Sequence, residues 1–280
     1  FLLAALVVAV VLYQRSRSHQ TQPRASSSPS STRRYEEMSE AEQLVFVDVQ
    51  EQRISAMMGD RPVKLNEEAL LSIKKAVDRL VVMKDNSPDK PSGVSLRAMY
   101  ARAVPYVPLI VRSFAARTIP IVVGIYLPMI ESAYRPCSAS SAGAKGLFQL
   151  TPLTAKNYGV EAAEMCDAEK MTPAAAHFIA DRMAELGADS QSMTLVLLSY
   201  NTGEEWVRSS LRQLRDAGNY ERNFWTLFAN RQKLADFTPE SAGYVPRFFA
   251  SAIIGENPEV FDLTIPPLST LNGSAVEPQQ

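Results

Sequence analysis

Apolar residues recur at helical spacing over most of the chain. In "NEEALLSIKKAVDRLVV", Leu70, Ile73, Val77 and Leu80 fall on one face of a helix that Asn66 caps. Ser39 with Glu42 makes a capping-box pattern ahead of "QLVFVDVQEQRISAMMG". Helices are also predicted in "SLRAMYARAVPYVPLIVRSFAARTIP", interrupted at Pro105 and Pro108, and in "SMTLVLLSYNTG", "EEWVRSSLRQLRDAG" and "YVPRFFASAIIGENPE". "TPLTAKNYG" and "TPAAAHFIADRMAELG" share one device: Thr151 or Thr172 as cap, Pro152 or Pro173 in the first turn, Gly159 or Gly187 past the end. In the second of these, Ala176, Ile179, Ala180 and Met183 share a face, with His177 beside it as a surface residue. No segment alternates as a strand should, and no repeat is present. The fold class is therefore all-α.

Three stretches fall outside this pattern. Residues 14–35, "QRSRSHQTQPRASSSPSSTRRY", have almost nothing apolar and cannot offset their own ordering entropy, which predicts a flexible linker. Before them, residues 1–13, "FLLAALVVAVVLY", carry no charge. They fall short of the roughly 20 residues that span a bilayer but suffice for a signal core of about 7–15. Position 1 is not Met, and the expectation is a truncated membrane anchor or signal core; the lack of a small-residue cleavage site in "QRSRSHQTQ" favours an uncleaved anchor. The tail, 266–280, is predicted to fray. A break at "DNSPDKPSG" divides the early helices. What remains is a helical accessory region over 36–115 and a compact domain over 116–265.

With 46% hydrophobic residues the chain can bury a proper core. Its formal net charge of -1 hides an asymmetry, because Arg15, Arg17, Arg24, Arg33 and Arg34 all precede the first acid, Glu36. From Glu36 onward 24 basic residues face 30 acids, a balance that argues against nucleic acid as a partner. Cys137 and Cys166 sit in no CxxC or Cys/His pattern, and His19 and His177 are the only histidines, so no metal site is expected. The two cysteines are either a bridge or two free thiols.

Candidate chemistry centres on Glu131. It follows "IPIVVGIYLPMI", a segment that must be buried, so the acid either reaches solvent at a helix terminus or is held with a raised pKa, as a general acid requires. The next acid along the chain is Glu161, so the pair of carboxylates that most glycosidases use is missing nearby. A serine triad is disfavoured by the absence of GxSxG and of a second histidine in the globular part.

"ESAYRPCSASSAGAKGLFQLTPLTAKNYG" resembles the signature of the lytic transglycosylases with a goose-type lysozyme fold, which cleave the glycan strands of peptidoglycan. The residues that carry it are Glu131, Ser132, Tyr134, Pro136, Ser140, Gly143, Ala144, Gly146, Leu147, Gln149, Pro152, Thr154 and Ala155. "LSYNTG" resembles a second family motif and gives Tyr200, Asn201 and Gly203; "YVPRFFASAIIGENPEVF" resembles the closing helix, which begins at Tyr244. The likeness runs from about Arg117 to Phe261 and is nearest the membrane-bound D-type branch. Ser138, Ser199 and Thr202 stand where the family usually has Ala.

The resemblance implies a lysozyme-like helical domain behind an amino-terminal helical layer, with Glu131 as the sole catalytic acid and base. It would protonate the glycosidic oxygen, the substrate's acetamido arm would replace the missing carboxylate, and the 6-hydroxyl would close a 1,6-anhydro ring. Ser132, Ser140, Gly146, Leu147, Phe148, Gln149, Tyr200, Asn201 and Tyr244 are the expected substrate-binding residues, though Ser132 alternatively just ends the helix and Asn201 just organises a turn. Gly143, Ala144 and Gly146 would let backbone approach the sugar, and Tyr200 and Tyr244 would offer rings to sugar faces. The expected partners are peptidoglycan glycan strands and, through residues 1–13, a membrane, with no nucleic acid, no cofactor and a monomeric chain. The expected location is the periplasmic face of the inner membrane or, after export, the periplasm. Competing readings are a hydrolytic lysozyme- or chitinase-like enzyme and a non-catalytic module that binds cell-wall glycan.

Overall fold

The structure, a computed structural model, describes residues 33–271 apart from 62, 85–94, 188, 190 and 191. The expected anchor, nearly all of the linker, the "DNSPDKPSG" break and residues 272–280 of the tail lie outside the described residues. The helices are α1 (Glu40–Met57), α2 (Glu67–Val82), α3 (Leu96–Ala103), α4 (Val107–Ala115), α5 (Ile121–Ser132), α6 (Pro152–Asn157), α7 (Ala168–Leu186), α8 (Met193–Thr202), α9 (Glu204–Asp216), α10 (Phe224–Ala229) and α11 (Pro239–Glu256). Among the described residues no strand forms; two isolated bridges join Ala139 with Lys145 and Lys145 with Leu150.

Capping chemistry sets most helix starts. The Ser39 side chain accepts from the Glu42 amide while the Glu42 carboxylate accepts from the Ser39 amide. Asn66 caps α2 and Thr151 caps α6 in the same way, each through the third amide of its helix. Two predicted starts are corrected. Helix α7 begins at Ala168, capped by Asp167, so Thr172 and Pro173 lie inside it. The proline ring there removes only the hydrogen bond to the carbonyl of Glu169, an exposed residue that water can serve. Helix α11 begins at Pro239 behind a Thr238 cap and not at Tyr244. Its polar first turn, Pro-Glu-Ser, has no apolar period to reveal it.

Helix α5 is the centre of the packing. It is apolar all round, with every residue from Val122 to Met129 buried, which is what a helix enclosed by neighbours requires. Helix α4 comes so close that a Cβ at Gly124 would sit 2.6 Å from the Phe114 ring. On another flank, the Tyr126 hydroxyl donates to buried Glu256 at the end of α11 over 2.5 Å. Helix α11 in turn buries Val245, Phe248, Phe249, Ile253 and Ile254.

The early helices share this core. Helix α2 runs along α11, and the buried Tyr100 of α3 donates to the Ser251 carbonyl of α11 at 2.6 Å. Both expected edges are also more ordered than composition suggested. Tyr35, assigned to the linker, is buried and donates to Asp78 at 2.9 Å. Leu268, assigned to the frayed tail, is fully buried, and Ser269 donates to Glu256 through its amide (3.1 Å) and hydroxyl (2.6 Å). One or two anchor residues within a polar stretch were enough to dock it. Among the described residues no helix is long and apolar enough to cross a membrane.

Candidate active site

Glu131 is the penultimate residue of α5, half-buried where the apolar helix meets the surface. The chain leaves the helix through two successive left-handed residues, Ala133 (φ 51°) and Tyr134 (φ 57°). For residues with a Cβ this conformation costs about 1–2 kcal/mol each, so something must hold it. Arg102 of α3 grips the Ala133 carbonyl with Nε (3.1 Å) and Nη2 (2.8 Å). Buried Tyr134 donates back to the Ile125 carbonyl at 2.7 Å and stacks on Tyr106, ring centroids 5.9 Å apart. The region expected to be accessory thus fixes the exit of α5 beside Glu131. Backbone strain held in this way next to an acid is characteristic of functional sites.

Helix α11 supplies the surroundings of the acid. The Tyr244 hydroxyl donates to Oε1 of Glu131, and Glu240, Tyr244 and Arg247 follow one another at i, i+4 and i+7, one face of the helix. Burial pushes the Glu131 carboxyl up to about 7; the Tyr244 hydrogen bond and the Arg247 charge pull it partly back, and the Glu240 charge adds to the rise. A carboxyl titrating near neutrality is both a competent donor and a competent acceptor of protons at physiological pH. Arg247 lies 5.8 Å from the centre of the Tyr244 ring. Burial and the charge of Glu131 together raise the Tyr200 phenol well above its ordinary value.

The loop from 135 to 150 is a wall held from behind. Ser132 is buried and its hydroxyl donates to the Leu147 carbonyl at 2.8 Å. Tyr200 donates to the Phe148 carbonyl at 2.5 Å, and its ring packs against Phe178 at 5.1 Å. Gln149, itself left-handed at φ 49°, donates its amide nitrogen to the carbonyls of Ser138 (2.9 Å) and Gly146 (2.7 Å). The Ser140 hydroxyl accepts from the Ala144 amide at 3.0 Å. Cys137 and Cys166 are joined in a disulfide that ties this loop to the segment before α7.

Several expected roles change accordingly. Leu147 and Phe148 are fully buried and present no side chain to a ligand. Gly146 (φ 89°) leaves no room for a side chain, because a Cβ there would lie 2.3 Å from the Met165 carbonyl. The Tyr244 ring, expected to face sugar, is buried, and its hydroxyl donates to Glu131. Ser132, Ser140 and Gln149 spend hydrogen bonds on the wall itself, although the Gln149 carbonyl oxygen is left as an acceptor. Asn201 is half-buried in the last turn of α8. Arg102, Glu240 and Arg247 escaped sequence reasoning; the i, i+4, i+7 spacing through Tyr244 was the one signal available for the last two. Among the described residues no three His, Cys, Asp or Glu side chains gather as a metal site.

Residues 115–223 match a family model described as "Transglycosylase SLT domain". The match covers Glu131, the loop and Tyr200, and it ends before α11. The chain is 28% identical over 166 residues to membrane-bound lytic murein transglycosylase D of Escherichia coli strain K12, an alignment covering 59% of this chain and 34% of the relative. The protein of the same name from E. coli O6:H1, strain CFT073 / ATCC 700928 / UPEC, matches to the same degree. The chain therefore spans about a third of the length of these relatives.

Proposed function

Taking as premise that the chain carries a transglycosylase SLT domain over residues 115–223, we propose that it cleaves the bond between N-acetylmuramic acid and N-acetylglucosamine in peptidoglycan without water. The observation that carries this reading is Glu131, a carboxyl raised to about 7 and addressed by the Tyr244 hydroxyl. Protonated Glu131 gives its proton to the glycosidic oxygen, and that bond breaks as the muramoyl acetamido oxygen takes the anomeric carbon. Glu131, now ionised, accepts the proton of the same sugar's 6-hydroxyl. The freed oxygen displaces the acetamido group, leaving a 1,6-anhydromuramoyl end and a restored acid. Tyr244 donates to the carboxylate between the two steps, when it is charged. The wall built from Ser132, Gln149 and Tyr200 keeps the Glu131 side of the groove in one shape.

The relatives' printed names, together with the apolar start of the chain, support a cell-envelope location with residues 1–13 at a membrane. The chain works as a monomer on glycan strands, with no cofactor and no nucleic acid.

One observation favours a second reading. Glu240 shares a face of α11 with Tyr244 and its charge adds to the rise at Glu131, which makes it the candidate base for a reaction in which water replaces the 6-hydroxyl. Mass spectrometry of digested, purified sacculi separates the two: anhydromuramoyl ends mark the lyase and reducing ends the hydrolase. Glu131→Gln should abolish product release and leave glycan binding in place; solubilisation at the parent rate would overturn both readings.

A further inference from the structure

A pocket of about 770 Å³ shares no lining residue with the Glu131 site. It lies where α1 and the connection after it meet the start of α8 and the connection between α9 and α10. Six charged residues line it: Glu51, Asp60, Arg61, Asp189, Glu221 and Arg222. Three of these are already engaged. Asp60 accepts from the Met193 and Thr194 amides at 2.5 and 3.2 Å and so caps α8, while Asp189 and Arg222 form a two-point ion pair.

Glu51 is different. It is 1% exposed, its Oε1 accepts from Ser55 at 2.9 Å, and its Oε2 has no partner among the described residues. Burial, opposed by the Ser55 bond and reinforced by the charges of Asp48 and Asp60, pushes the carboxyl up to about 7. Buried carboxylate oxygens are normally satisfied, so the vacant one calls for a donor, and a cationic donor would relieve the charge as well. A metal is a poor match, since no three ligating side chains gather among the described residues. The carboxylate of Glu221 and the guanidinium of Arg61 line the same pocket, and neither has an ion-pair partner among the described residues.

We propose that this pocket binds an amino-acid zwitterion, its ammonium on Glu51 and Glu221 and its carboxylate on Arg61. An ammonium group supplies three donors for two acids, and a guanidinium fork suits a carboxylate. The ligand is either a free amino acid or a short peptide whose two ends lie close enough to meet both charges. The site is independent of the proposed reaction at Glu131, so failure of one leaves the other standing.

The test is an amide NMR titration of the full chain with L-alanine, L-alanyl-L-alanine, N-acetyl-L-alanine and ethylammonium chloride. L-alanine or the dipeptide should move the amides of Glu51, Arg61 and Glu221, and the stronger of the two identifies the source. N-acetyl-L-alanine, lacking the ammonium, and ethylammonium, lacking the carboxylate, should each bind about ten-fold more weakly or worse. Glu51→Gln should lose about ten-fold or more in affinity. Because a buried variant risks the fold, Glu221→Gln and Arg61→Ala at the exposed mouth provide the second arm, each expected to weaken binding about three-fold or more. Absence of shifts with both zwitterions, equal binding of N-acetyl-L-alanine, or unchanged affinity in the two surface variants would overturn the proposal.

Discussion

The phenol of Tyr244, on a ring only 2% exposed, donates its hydrogen bond to Oε1 of Glu131. The two residues come from α11 and α5, helices that lie against each other and are each built largely of apolar residues, so the phenol is held in the core while the half-buried carboxyl meets it at the core's edge. The bond acts on the ionised acid: it stabilises the carboxylate and so lowers a pKa that burial has raised.

Tyr244→Phe should therefore move the alkaline limb of the pH–activity profile to higher pH. A general acid is active while protonated, and with Glu131 titrating at about 7 the native limb should lie near that pH. Removing the hydroxyl takes away a stabiliser of the charged form, so protonation persists further. The check is the rate of sacculus solubilisation across pH; a limb that stays in place or moves down would mean the hydroxyl does not govern the acid.

Glu240→Gln provides the opposite sign. Its negative charge raises Glu131, so neutralising it should bring the alkaline limb to lower pH while the anhydro product persists. If Glu240 instead activates water, the same variant should abolish reducing-end products, and the two outcomes are distinguished in one mass-spectrometric digest.

Glu131 should also cost stability, in a pH window that the folded and unfolded values define. Its carboxyl titrates at about 7 in the fold against an ordinary 4.5, so the native state holds the proton more tightly than the unfolded chain does. That contribution is fully present below pH 4.5 and is lost as pH rises through 7. Glu131→Gln removes the penalty, and urea denaturation should find the variant about 1–3 kcal/mol more stable at pH 8 and nearly equal to the parent at pH 4. A variant no more stable at pH 8 than at pH 4, relative to the parent, would contradict the burial argument.

Much of the fold could be read from periodicity and caps, because both are local. Asn66, Ser39 and Thr151 cap helices at the expected places, and the apolar run before Glu131 is the central helix. What local pattern could not convey was which partner each residue meets. Leu147 and Phe148 stand inside the motif yet serve the core, and Tyr244 turns its hydroxyl to the acid of another helix. Arg102 matters only because α3 passes the exit of α5, a contact between positions 31 apart in sequence that no spacing rule reports. The docked ends at Tyr35 and Leu268 were missed for the same reason: average composition dilutes a single anchoring side chain.

Loss of the disulfide should loosen the loop before it unfolds the molecule. Cys137 and Cys166 close a loop with a sequence separation of 29, worth roughly 3–4 kcal/mol in the chain-entropy model. The paired change Cys137→Ser with Cys166→Ser should lower stability by about that amount, seen as a lower urea midpoint, while the core amides of α5 and α11 keep their protection from hydrogen exchange. If those helices lost protection together with the loop, the bridge would be holding the core and not the wall.

Gly146 offers the sharpest test of the wall's construction, with Gly143 as its internal control. Both have positive φ, 89° and 84°, so replacing either with Ala incurs the same left-handed penalty of about 1–2 kcal/mol. They differ in space: a Cβ at Gly143 meets nothing within 4 Å, whereas at Gly146 it meets the Met165 carbonyl at 2.3 Å, backbone that the adjacent disulfide half, Cys166, cannot easily release. Gly146→Ala should therefore cost a further 1–3 kcal/mol or so for overpacking. It should also displace the Leu147 and Phe148 carbonyls that Ser132 and Tyr200 hold, and with them the setting of Glu131. The expected result is a lower melting temperature and a large loss of activity for Gly146→Ala, against a small stability loss and near-parent activity for Gly143→Ala. Equal effects at the two positions would place the strain in backbone angles alone and remove the Met165 contact from the explanation.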